Sequence, residues 1–304
     1  MIREEIPAAL AGQRLDRVVA LLADASRSDA AALVEAGGAI VDGEVEASGK
    51  LRLRFGQVVE VDLAKLPHKT PPQPDPTIRV PIVYADDDVI VVDKPPGLVV
   101  HPAHGHPDGT LVNALLAVYP DIADVGDEMR PGIVHRLDVG TSGLMVVARS
   151  TAAYEMLVAA LSARKVHRSY QTLVWGHLDS PNGLIDAPVG RDHKDPLRMA
   201  VVVDGKPART RYRTVAVYDT PAQVTELECH LETGRTHQIR VHLAATGHPV
   251  VGDGPYGGVR SGVTSPRPFL HASGLAFKHP RTTRELSFTA PLPDDLRAVL
   301  AELA

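Results

Sequence analysis

Five prolines (67, 71, 72, 74 and 76) fall within the ten residues from 67 to 76. Each fixes its own φ and removes a backbone donor, so this stretch can form neither a regular helix nor a central strand. The chain it interrupts has 304 residues, more than a single core usually serves. We therefore expect a small amino-terminal domain (1–63), a semi-rigid linker (64–77) and one dominant domain (78–304).

In the first segment Leu15, Val18, Val19 and Leu22 follow the i, i+3, i+4, i+7 stripe of a short amphipathic helix. Ser28 reads as the N-cap of a second helix to Ala36, which Gly37-Gly38 ends. Ala39 to Val45 reads as a tight hairpin through Asp42-Gly43, and Gln57 to Leu63 as a further strand. Beyond Ile78 the pattern is α+β: a mixed, largely antiparallel sheet flanked by helices. Val89–Val92 and Leu144–Ala148 are short apolar runs of buried strands, and Ser150 caps a helix running through Arg164. Gln171–Trp175 and Val224–Leu231 are further strands.

Charge distribution separates the segments. The whole chain carries a net −5, which nucleic-acid binders seldom do. Residues 191 to 213 nevertheless hold seven basic and three acidic side chains, a local +4 in which Arg209, Arg211 and Arg213 are prominent. Such a stripe can hold phosphates on an acidic protein, and a solvated charge-rich loop would look the same. Residues 1 to 63 hold seven basic and eleven acidic side chains, a net −4. The chain has no apolar run of about 18 residues, and its first residues lack the features of a signal peptide. No membrane association and a cytoplasmic location are expected. A single cysteine, Cys229, excludes an internal disulfide and a Cys-rich zinc site.

The segment Gly132-Ile-Val-His-Arg-Leu-Asp-Val-Gly-Thr-Ser-Gly-Leu144 sets Asp138 beside Arg136 in a turn-rich loop that runs into a buried strand. Glycines 132, 140 and 143 supply backbone freedom around the carboxylate. Loops fixed by rigid strands are where chemistry tends to sit, which makes Asp138 the candidate catalytic group, although Arg-x-Asp is also a common local ion pair.

His135-Arg-Leu-Asp138 followed by Thr141-Ser-Gly-Leu144 resembles the signature of the large-subunit rRNA pseudouridine synthases of the RluA/RluD type. The likeness extends through Asp93-Lys-Pro-Pro-Gly-Leu-Val-Val-His-Pro102 and Gly234-Arg-Thr-His-Gln-Ile-Arg-Val-His-Leu243, and so covers nearly the whole chain. The run from Lys94 to Pro102, with Pro107 to Leu116, is most similar to the RluD branch. The two short helices and small sheet of residues 1–63, with Arg14-Leu15-Asp16 and Ser26-Arg27-Ser28, resemble the S4-like RNA-binding domain, and their acidic balance is the departure from it.

The resemblance implies an isomerase that turns uridine in RNA into pseudouridine without a cofactor, acts on large-subunit rRNA and works as a monomer. It implies that Asp138 is the catalytic carboxylate, as nucleophile or as base, and that Tyr170 takes the final proton from carbon 5 or stacks on uracil. It further implies that an arginine of the 234–243 motif pairs with Asp138. We assign that to Arg240 and leave Arg235 for phosphate or packing. Leu270 would line the uracil pocket, His135 would contact substrate, and Arg136 would stabilise the vacancy left by a flipped uridine. Read without the resemblance, His101, His104, His106 and Asp108 could ligate zinc in a hydrolase, and the chain could be a non-catalytic RNA-binding factor.

Overall fold

The structure is a computed structural model that describes residues 1–66, 70–103, 105–195 and 198–304. It forms two compact units, Met1–Thr70 and Pro71–Ala304. Pro67 and His104 lie outside the described residues.

In the first unit β1 (Ile2–Glu5), α1 (Leu15–Leu22), α2 (Arg27–Glu35), β2 (Ala39–Val41), β3 (Glu44–Val45) and β4 (Val58–Val61) build a four-stranded antiparallel sheet of order β1-β4-β2-β3. Leu15, Val18 and Val19 of the α1 stripe bury against Leu33, Val59 and Val61. The Asp42-Gly43 turn has positive φ at both residues (52° and 89°), the geometry a two-residue hairpin loop requires. The N-cap of α2 is Ser26 and not Ser28. Ser26 Oγ accepts the Asp29 N–H at 3.2 Å, while Ser28 already lies inside the helix. Leu66 packs on this core and Lys65 Nζ donates to the Gly37 carbonyl, so the unit runs past Leu63.

The second unit contains β5 (Ile82–Ala85), β6 (Val89–Lys94), α3 (Leu111–Val118), β7 (Ser142–Ala148), α4 (Thr151–Ser162), β8 (His167–Trp175), β9 (Asn182–Asp186), β10 (Val189–Arg191), β11 (Met199–Val201), β12 (Arg209–Tyr218), β13 (Val224–Leu231), α5 (Gln238–Ala245), β14 (Leu270–Lys278), β15 (Glu285–Thr289) and α6 (Asp294–Ala301). Nine strands form one sheet in the order β5-β6-β7-β14-β8-β13-β12-β9, with β15 also on β14. Among the described residues, every pairing in this sheet is antiparallel except β7 with β14. The fold is thus the mixed, largely antiparallel α+β sheet expected from the sequence.

All seven residues of β7 are buried because both faces of the sheet are covered. Met145 and Val147 pack with Leu111 and Leu115 of α3, Leu243 of α5 and Leu296 of α6. Leu144 and Val146 face Ala153 and Leu157 of α4 on the other side. Ser150 caps α4 by accepting the Ala153 N–H, as its sequence position suggests.

Candidate active site

The loop that carries Asp138 leaves the sheet just before β7 and is fastened from below. Lys94, at the end of β6, is fully buried, and its Nζ donates to the carbonyls of Pro95 (2.8 Å), Leu98 (2.9 Å) and Val139 (3.5 Å). Burial lowers its pKa to about 7, with Asp138 pulling the other way. The Gly97 N–H adds a bond to the Val139 carbonyl, and Arg267 donates to the Gly140 carbonyl and to Ser142 Oγ. Gly143, at φ 112°, lies so close to β14 that a Cβ would come within 2.3 Å of the Ala272 carbonyl. Gly132 likewise has positive φ, whereas Gly140 does not, so the freedom needed around Asp138 resides in two of the three glycines.

Opposite this loop, α5 presents Arg240. Read as sequence, Gly234 to Arg240 is a turn into a helix with Thr236 as its N-cap, and the structure enters the helix differently. His237 occupies the capping position in the left-handed region (φ 56°), and the Gln238 side chain accepts the Arg235 N–H instead. Arg240 Nη1 donates to Asp138 Oδ2 at 3.1 Å, while Nε and Nη2 make a bidentate pair with the fully buried Asp253 at 2.6 and 2.8 Å. Burial works against the Arg240 charge, and the two carboxylates outweigh it, so its pKa rises. Because Arg240 is anchored by Asp253, it touches only one oxygen of Asp138. Among the described residues, no group donates a hydrogen bond to Oδ1.

Asp138 opens into a cavity of about 570 Å³. Tyr170, Arg240, Arg136, His135, Arg235 and Leu270 all line it, drawn from β8, α5, the loop, the turn before α5 and β14. Tyr170 and Leu270 are each 4% exposed, while Arg136 and Arg235 are exposed. Burial pushes the Tyr170 phenol above its usual value, with Arg168 opposing. His135 Nε2 accepts the Val146 N–H, and burial lowers its pKa to about 3, so the ring is neutral and carries its proton on Nδ1. Arg235 Nε donates to the Pro207 carbonyl, and it is Arg240, not Arg235, that meets Asp138.

Three neighbours escaped the sequence reading. Asp253 sits in Gly252-Asp253-Gly254-Pro255, which reads equally well as an ordinary turn. His237, 3.9 Å from Asp138, donates or accepts a hydrogen bond with Tyr256, and Lys94 lay in a quoted motif without a role. Among the described residues, the metal-type donors that converge are Asp86, Asp88 and His279, not those of the loop at 101–108. They are engaged internally: Tyr84 and His279 bond Asp86, while Ser150 and Arg281 bond Asp88.

Three of the seven basic side chains of the stripe at 191–213 pair with acids from outside it. Arg213 pairs with Glu228 (2.6 Å) and Arg211 with Glu232 (2.7 Å), and Arg209 lies 3.2 Å from Glu232 and 3.5 Å from Asp186. The acids come from neighbouring strands β9 and β13 or just beyond, so a count confined to 191–213 overlooks them.

Residues 88–245 match the RNA pseudouridylate synthase family. The chain is 49% identical over 305 residues to an uncharacterised RNA pseudouridine synthase of Chloroflexus aurantiacus, covering 98% of this chain and 92% of that one. It is 45% identical over 311 residues to ribosomal large subunit pseudouridine synthase D of Xanthomonas campestris, at 98% and 91% coverage. The structure of human RNA pseudouridylate synthase domain containing 1 superposes with a TM-score of 0.59 at 27% identity, over 76% of this chain and 91% of that one. The chain therefore belongs to the RNA pseudouridylate synthase family and is an isomerase that converts uridine in RNA to pseudouridine.

Proposed function

We propose that the enzyme modifies specific uridines of large-subunit rRNA, the substrate named for its synthase D relatives, and that Asp138 carries the reaction. The observation that carries this reading is a carboxylate with one oxygen held by Arg240 and the other open to a cavity walled by Tyr170 and Leu270. Isomerisation breaks the bond from nitrogen 1 of uracil to ribose, turns the base, and joins carbon 5 to the sugar. Oδ1 of Asp138 serves this either by attacking the anomeric carbon or by taking a ribose proton on the way to a glycal. Both routes use the carboxylate in its charged form. Nothing is oxidised or hydrolysed overall, so the reaction requires no cofactor.

Tyr170 is a neutral phenol in the free protein. Its ring supports uracil, and after the base has turned the tyrosine gives its own proton to solvent and accepts the carbon 5 proton as the phenolate. Leu270 closes the apolar side of the pocket. A uridine within folded RNA must leave its stack, and the exposed guanidinium of Arg136 fills the vacancy. His135 and Arg235 complete the substrate wall. In this reading the first unit is an S4-like RNA-binding module, and the protein acts as a cytoplasmic monomer.

The test is to map pseudouridine in rRNA from a strain lacking the gene, complemented with wild type or with Asp138→Asn. Wild type restores the missing sites in large-subunit rRNA, and Asp138→Asn restores none while melting within a few degrees of wild type. Near wild-type conversion by the variant would remove Asp138 from the chemistry, and unaltered large-subunit rRNA in the deletion strain would remove the substrate.

A further inference from the structure

Among the described residues, the active-site cavity contains two carboxylates, and each already accepts from an arginine other than Arg168. Asp138 accepts from Arg240, and Glu232 is met by Arg164, Arg209 and Arg211 at 3.2, 3.2 and 2.7 Å. Arg168 lines the same cavity, is 7% exposed, and has neither carboxylate as a partner. Its Nε is buried with no hydrogen bond, and it forms no ion pair among the described residues. A second buried donor without a partner, Nδ1 of His135, lies on the same cavity wall.

Space for the Arg168 guanidinium is made by Gly234, where a Cβ would come within 2.8 Å of Nη1. Arg168 precedes Tyr170 by two positions on β8, so both side chains leave one face of the strand about 7 Å apart along it. A guanidinium cannot shed its proton in a protein, and a buried charge without a counter-ion is more costly than a buried pair. The only anions that RNA brings in its resting state are its phosphates.

We propose that Arg168 receives a backbone phosphate flanking the target uridine, a subsite beside Tyr170 that positions the nucleotide whose base the tyrosine supports. This rests on the cavity being the uridine site.

The test uses the full-length protein and a synthetic RNA stem-loop carrying one converted uridine, made with a neutral methylphosphonate at each flanking linkage in turn. Arg168→Gln weakens stem-loop binding by about tenfold, the scale of a lost hydrogen bond to a charged group, and raises KM in proportion. One methylphosphonate costs wild type about the same factor and costs Arg168→Gln nothing more. Gly234→Ala keeps the arginine but displaces it, and reproduces the loss, while Arg168→Lys retains part of the affinity. The subsite is overturned if wild type tolerates every methylphosphonate, a result that does not depend on any variant folding. It is also overturned if Arg168→Gln slows turnover with unchanged binding, which would assign the charge to the departing uracil. Failure of wild type to convert uridine in any RNA would instead overturn the activity itself.

Discussion

Asp253 and Asp138 share Arg240 but contribute differently. Asp253 is fully buried and takes two of the guanidinium's bonds, whereas the Asp138 side chain is 15% exposed and takes one. Breaking a buried pair by removing one partner costs about 3–5 kcal/mol, and an isosteric amide softens this. Asp253→Asn should therefore destabilise by about 2–4 kcal/mol in urea unfolding. It should also slow single-turnover conversion, because Arg240 is then free to grip both oxygens of Asp138. Equal stability of the Asp253→Asn and Asp138→Asn proteins would argue against this division of roles. Tyr170→Phe keeps the ring and removes the hydroxyl. General-base contributions run to about 10²–10⁴-fold, so release of the carbon 5 hydrogen from labelled RNA should slow by that order with little change in RNA affinity. Unchanged release kinetics would leave Tyr170 a stacking residue.

At the scale of elements, β12 shows why linear charge counts mislead. Arg211 and Arg213 alternate on one face of the strand, and antiparallel pairing sets Arg213 across from Glu228 and brings Glu232 within reach of Arg211. Exposed pairs of this kind are worth about 0–1 kcal/mol each, so little stability depends on them, but they offset the charge of the arginines that form them. The Arg211→Gln, Arg213→Gln double variant should flatten the salt dependence of RNA binding by less than about one unit, as titration at three salt concentrations will show. A drop of two units would mean that both arginines leave their acids to bind phosphates. The two misplaced helix starts have local causes. Two serines two residues apart compete for the α2 cap, and only the one whose hydroxyl reaches the Asp29 N–H succeeds. At α5 a left-handed His237 replaces the hydroxyl cap, a conformation that few residues other than glycine, asparagine, aspartate and histidine adopt.

At the scale of the molecule, each unit has its own apolar core, with Ile6, Leu15 and Leu33 in one and Val92, Leu115 and Met145 in the other. In the first unit the two segments that resemble an RNA-binding module meet at Asp16, which lies 2.5 Å from Arg14 and 3.7 Å from Arg27. Their positive charge is partly spent there, in keeping with the net −4 of residues 1–63. Removing residues 1–70 should then cost less than about tenfold in RNA affinity and leave conversion at saturating RNA intact. A larger loss, measured by titration, would make this unit the principal RNA-binding surface.

Where a property depends on neighbours in the chain, the residues alone determined it. Strand and helix periodicity, the Asp-Gly hairpin, the Ser150 cap and the motif containing Asp138 all arise from side chains within a few positions of one another. Tertiary structure decided what depends on groups far apart in sequence. It brought Arg240 to Asp138 across 102 positions of chain and Asp253 to Arg240 across 13, fastened the loop on a buried Lys94, paired the β12 arginines with acids of other strands, and left Arg168 with none among the described residues. The physical reason is that hydrogen bonds and ion pairs act over a few ångströms, a distance the order of residues along the chain does not measure.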